Sequence, residues 1–193
     1  DHGVAFADID AIFLTHYHAD HAGLAAEIQA ESGATVYAHP EDAALIAGDD
    51  DAWDDLETRQ RAAFEEWGMP EDDQDVLETY MQAGVDHHTA GTDVATFEDG
   101  DRFDLGETTL EVVHTPGHTA GLTSFAMPER NEVLTGDALL PVYTPNVGGA
   151  DVRVGRPLER YLDTLGRIAD AEFDRAWPGH RDPIDDPTAR AEE

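Results

Sequence analysis

The chain has 193 residues, 43 acidic against 11 basic, for a formal charge of −32. That length predicts one domain, and an apolar fraction of 40% can supply its core. The absence of cysteine excludes disulfides, thiolate catalysis and sulfur-ligated metals, and the negative charge disfavours nucleic acid and anionic lipid as partners.

In chain order, Asp10 to Thr15 reads as a short buried strand and His21 to Glu31 as a helix with Leu24 and Ile28 on one face. Thr35 to Ala38 is a second strand, and Pro40 suits the first turn of a helix. This strand–helix–strand unit predicts an α/β layer. Residues 49–86 differ: aromatic and aliphatic residues separated by acids predict two helices broken near "GMPEDD", inserted within the domain. Trp53, Phe64 and Trp67 read as helix packing there. From Asp93 the pattern turns β-rich, with turn signals at Asp99-Gly100 and Leu105-Gly106. Leu122 to Met127 and Glu132 to Thr135 predict a hairpin around Pro128 to Asn131. Pro157 to Ile168 predicts a helix with Leu158, Tyr161, Leu162, Leu165 and Ile168 on one side, and Phe173 to Trp177 a last strand. The remainder reads as an acidic tail. No apolar run is long enough to span a bilayer, and no secretory leader is visible.

The chemistry concentrates in "THYHADHAG", residues 15–23. His16 and His18 alternate past a strand end, so both side chains point the same way and reach one metal. Asp20 and His21 follow as the chain turns into a helix and face a second point nearby. Without cysteine, a metal here must use imidazole and carboxylate. Three further candidates sit at other strand ends: His118 in "HTPGHTAG", Asp137 in "LTGDALL" and His180 in "WPGH". Thr15 and Asp10 are read as hydrogen-bonding supports for the imidazoles, and Tyr17 as packing. His114 and His39 are read as non-ligands, His87-His88 as exposed or supporting, and His2 as inert.

These motifs, in this order from Thr15 to His180, resemble the metallo-β-lactamase fold of binuclear hydrolases. The resemblance implies an αββα sandwich over residues 1–193 with a helical insertion at 49–86. It implies that His16, His18 and His118 hold one metal, that Asp20, His21 and His180 hold a second, and that Asp137 bridges both. It further implies a metal-bridging hydroxide as nucleophile, with Asp20 orienting it. Zinc is favoured, and iron or manganese fits the same donors. The loops look most like the hydroxyacylglutathione hydrolase (glyoxalase II) branch, so a small thioester or ester is the expected substrate. A lactonase or β-lactamase, a phosphodiesterase or nuclease, and a non-catalytic metal-binding module are the alternatives.

The chain also departs from that pattern. The glutathione-type enzymes place basic residues after the bridging aspartate, whereas "GDALLPVYTPNVGGADVRVGR" contains no lysine. A different thiol carrier is therefore expected, with Tyr143, Asn146, Arg153 and Arg156 as candidate substrate contacts. Members of the fold begin with strands before the H-x-H strand, and a helix follows their late histidine. Both are expected to be missing here, leaving an open apolar sheet edge or face. The scattered acids and lysine-free composition resemble proteins of halophilic archaea and point to a salty cytoplasm. A small-molecule substrate, no membrane and a compatible homodimer complete the expectations.

Overall fold

The computed structural model describes residues 3–85 and 91–193. Two sheets form its centre. In the first, β1 (Ala11–Phe13), β2 (Thr35–Ala38) and β3 (Val94–Thr96) run parallel in that order. In the second, β4 (Arg102–Asp104), β5 (Thr109–His114), β6 (Thr123–Met127) and β7 (Glu132–Gly136) are antiparallel neighbours, and β8 (Arg175–Pro178) adds in parallel to β7.

Alternation along the strands builds three apolar layers. Phe13 and Tyr37 project between the sheets to meet Phe97, Leu110, Val112, Phe125 and Met127. Phe13 stacks on Tyr37 at 5.0 Å and meets Phe103 edge-on at 4.7 Å. The opposite face of β2, Val36 and Ala38, packs under helices α1 (Ala19–Ala22), α2 (Ala25–Ser32), α3 (Pro40–Ile46) and α4 (Asp50–Glu66), through Ala22, Ala25, Leu45, Ile46 and Leu56. The outer face of the second sheet, Val133 and Ala176, packs with Ile168 of α6 (Pro157–Asp170), Ile184 and, at the margin, Ala191 of α7 (Pro187–Glu192). The result is the αββα sandwich expected from the motifs.

The insertion carries α4 and α5 (Glu71–Val85). In α4, Leu56 and Phe64 are buried, and Trp53 Nε1 donates to the Leu45 carbonyl at 3.1 Å. Trp53 and Phe64 thus pack as expected, while Trp67 is exposed. His2, His87 and His88 lie outside the described residues.

Four differences from the sequence reading have physical causes. The expected helix over 21–31 is two helices, because Gly23 ends α1 and Leu24 starts α2. Its buried face carries Ala22 and Ala25, and Leu24 is exposed. The apolar stripe of α6 is split: Tyr161 and Ile168 are buried, but Leu158 is 63% and Leu162 57% exposed, since the sheet supports only part of that face. Finally, a helix does follow the late histidine. Asp186 caps α7 by accepting from Ala189 N at 2.9 Å, and Pro187 occupies its first turn. As for the expected open edge, β1 has one ladder partner, β2, among the described residues.

Candidate metal centre

All seven expected ligands converge where the strands of both sheets end. The loop after β1 delivers His16 and His18, and α1 delivers Asp20 and His21. The β5–β6 loop supplies His118, the residue after β7 supplies Asp137, and the residue two beyond β8 supplies His180. Three groups among the described residues place their donor atoms within 4.8 Å of one another: His16, His18 and His118; Asp20, His21 and His180; and His16, His21 and Asp137. The last group joins the other two into one continuous site.

The spacing of the donors is informative. His18 Nδ1 lies 3.1 Å from His16 Nε2 and 3.0 Å from His118 Nε2. His21 Nε2 lies 3.3 Å from His180 Nε2. Ring nitrogens converging this closely from four separate segments form a set of donors that a single cation could join. Burial holds His16 well below its ordinary range and lowers His18 to about 3, with neighbouring imidazoles adding to both. His21 is also lowered by burial. These rings are therefore neutral at pH 7, the form that ligates metal.

Asp137 spans the two groups. Its Oδ1 is 3.5 Å from His21 Nε2, and its Oδ2 is 3.6 Å from His118 and 3.5 Å from His180. Oδ1 is buried with no hydrogen-bond partner among the described residues. A buried carboxylate oxygen left unsatisfied is costly, and a divalent cation is the partner that its surroundings fit. Asp20 is exposed, with Oδ2 3.3 Å from His180 Nε2 and 3.6 Å from His21 Nε2.

Supporting contacts fix ring orientation. His118 Nδ1 donates to the Asn146 carbonyl at 2.7 Å, which leaves Nε2 as the inward lone pair. Thr15 Oγ1 sits 3.1 Å from His16 Nδ1, the support expected of it. Asp10 instead contributes its backbone carbonyl to Thr35 at the other end of β1. His114 and His39 stay out of the cluster. They stack on each other at 4.0 Å, and His114 Nε2 donates to the Ala120 carbonyl at 2.8 Å. Tyr17 is buried against Trp53 at 5.7 Å.

The candidate substrate contacts separate in the structure. Tyr143 is partly exposed on the loop after β7, and its carbonyl accepts from Arg190. The Asn146 side chain caps a turn by accepting from Gly149 N at 2.9 Å. Arg156 lies on the surface, paired with Glu159 at 2.9 Å. The Arg153 guanidinium is turned inward, held by Asp151 at 2.6 Å and Asp42 at 2.8 Å. Asp42 is fully buried in the first turn of α3. An acid in a helix first turn reads as dipole compensation, so nothing local marks it.

Comparison with known proteins agrees with this geometry. A sequence model described as the metallo-beta-lactamase superfamily matches residues 1–180. An uncharacterized protein of Mycobacterium leprae is 30% identical over 159 residues, 82% of this chain and 62% of its own length. A hydroxyacylglutathione hydrolase of Brucella anthropi is 48% identical over 44 residues, 23% of this chain and 17% of its own. The crystal structure of a metallo-beta-lactamase family protein from Thermus thermophilus superposes with a TM-score of 0.80 at 30% identity, covering 98% of this chain and 60% of that one. The chain thus spans about three fifths of the length of the first and last of these. The fold, the ligand order and a match that runs from the first residue to the late histidine agree: this chain belongs to the metallo-beta-lactamase superfamily.

Proposed function

We propose that the chain is a binuclear metal-dependent hydrolase that cleaves a small thioester or ester. The observation that carries this reading is the buried Asp137 Oδ1, without a hydrogen-bond partner among the described residues, set between two groups of imidazoles. His16, His18 and His118 would hold one divalent ion, Asp20, His21 and His180 the other, with Asp137 facing both. The all-nitrogen-and-oxygen donor set suits zinc, and also iron or manganese. Such ions, when bound, supply Lewis acidity and lower the pKa of a water to near neutrality.

The protein's own groups perform the rest. The Asn146 carbonyl and Thr15 hydroxyl keep the His118 and His16 rings aimed inward. Exposed Asp20 would orient a water by accepting a hydrogen bond from its O–H. The chain has no lysine or cysteine, and a water held near Asp20, His21 and His180 would protonate the leaving group. Tyr143, exposed on the loop that also carries Asn146, is the candidate substrate contact.

The thioester assignment rests on the look of the "HTPGHTAG" and "GDALL" loops and on the short match to a hydroxyacylglutathione hydrolase. We read the protein as cytoplasmic and adapted to high salt, from its charge and lysine-free composition. The test is elemental analysis after zinc loading in molar salt, then turnover of thioesters, esters, lactones, β-lactams and phosphodiesters. Two metals per chain and chelator-sensitive thioester or ester cleavage are expected. A folded chain that binds no metal overturns the reading, and exclusive cleavage of another class overturns the substrate.

A further inference from the structure

Asp42 sits behind the metal centre at a junction of three segments. Its Oδ2 accepts from Tyr17 N at 3.3 Å and from Thr119 Oγ1 at 3.0 Å. Its Oδ1 accepts from Gly121 N at 3.1 Å and from Arg153 Nη2 at 2.8 Å. Tyr17 lies between His16 and His18, and Thr119 and Gly121 flank the far side of His118. One fully buried carboxylate therefore holds both loops that contribute the first ligand group.

Arg153 and Asp151 complete the junction. Arg153 Nε and Nη2 donate to Asp151 at 2.8 and 2.6 Å, Nη1 donates to the Glu41 carbonyl, and the guanidinium lies 5.2 Å over the Tyr17 ring. Asp151, also fully buried, accepts from Ala120 N at 2.8 Å. Two carboxylates thus grip three consecutive residues after His118, and Arg153 offsets part of their charge. Burial pushes the Asp42 carboxyl up to about 6, against the pull of Arg153, and its four partners all donate. The approach is close: a Cβ on Gly121 would lie 2.5 Å from Asp42 Cγ, so this position excludes other side chains.

We infer that Asp42 is a positioning residue that sets the distance between the His16/His18 loop and the His118 loop, and so tunes the affinity of the first metal group alone. The inference rests on the proposed binuclear reading. Metal–ligand distances tolerate only tenths of an ångström, and removing a supporting contact of this kind typically costs 10–100-fold in metal affinity. None of the seven ligands touches Asp42 directly among the hydrogen bonds it makes, so its effect passes through backbone N–H groups and Thr119.

Competitive zinc titration in molar salt tests this in two backgrounds. In His180→Ala, which keeps the first group, Asp42→Asn should weaken zinc binding about 10–100-fold. In His118→Ala, which keeps the second group, Asp42→Asn should leave the affinity unchanged. A merely structural role would lower the melting temperature in both backgrounds and leave both affinities alone, and that result overturns the inference, as does an equal loss in both. If Asp42→Asn does not fold, Thr119→Val decides, because it removes one donor yet keeps the Asp42–Arg153 pair. It should weaken only the first group, about fivefold for one hydrogen bond, and no change overturns the inference. If the unmutated chain binds two zinc ions and these substitutions leave the affinity of their own background unchanged, only this inference fails. If the unmutated chain binds none, the proposed function fails and the inference with it.

Discussion

Gly179 and Asp137 come so close that no larger residue fits between them: a Cβ at 179 would lie 2.5 Å from Asp137 Oδ1 and 2.6 Å from His21 Cε1. Gly179 N also donates to the Gly136 carbonyl at 2.8 Å, tying the turn after β8 to the end of β7. The "PGH" turn therefore places His180 and leaves room for Asp137 at the same time. Gly179→Ala should displace Asp137 or His21 and weaken metal binding at the Asp20/His21/His180 group by at least about tenfold. Zinc titration checks this. An alanine variant with unchanged affinity for both ions would show that the approach does not matter.

The surroundings of Asp137 suit the holding of a cation better than they suit the stability of the fold. Its Oδ1 is buried with no hydrogen-bond partner among the described residues. Asp137→Asn should therefore leave metal-free stability unchanged or raise it by about 1 kcal/mol, while abolishing binding of at least one of two metals. Urea unfolding with and without chelator, beside elemental analysis, measures both. A variant less stable without metal than the parent contradicts the argument.

His39 gives a pH dependence remote from the ligands. Its Nδ1 accepts from Glu41 N at 3.3 Å as the cap of α3, and its ring stacks on His114. Burial, then the neighbouring His114, lowers it to about 4. The folded-state value lies below the unfolded value near 6.5, so its contribution to stability is complete above pH 6.5. It is lost as pH falls from 6.5 towards 4, at up to about 1.4 kcal/mol per pH unit. His39→Asn keeps a good cap and does not titrate. Its stability should fall less than the parent's between pH 7 and pH 5 in urea unfolding, and an equal fall would refute the assignment.

Salt should stabilise the chain strongly. A formal charge of −32 on 193 residues repels itself at low ionic strength. At 1 M salt the screening length is about 3 Å, shorter than the distance between most surface charges. The melting temperature should rise steeply between 0.1 and 2 M potassium chloride. A flat profile would mean that the surface acids are offset locally, as in the Arg59–Asp55 and Arg175–Asp185 pairs.

The sequence by itself determined which candidate ligands stand at the strand ends, and in what order. H-x-H-x-D-H at a strand end, His118 in a Gly/Pro loop, Asp137 after β7 and His180 after β8 are all local statements, and short-range chemistry makes them legible. Strand and helix identity followed for the same reason, as with Thr35–Ala38 and the break between α4 and α5. Only the tertiary structure decided which of the polar residues meet. Arg153 reads in the sequence as a candidate substrate contact, and nothing local marks Asp42. Their engagement spans 111 positions of chain, and no local pattern encodes a contact at that range. The same holds for α6, whose apolar stripe was readable while the share of it covered by the sheet was not. Burial is a property of neighbours, and the neighbours are set by how two sheets and their helices pack.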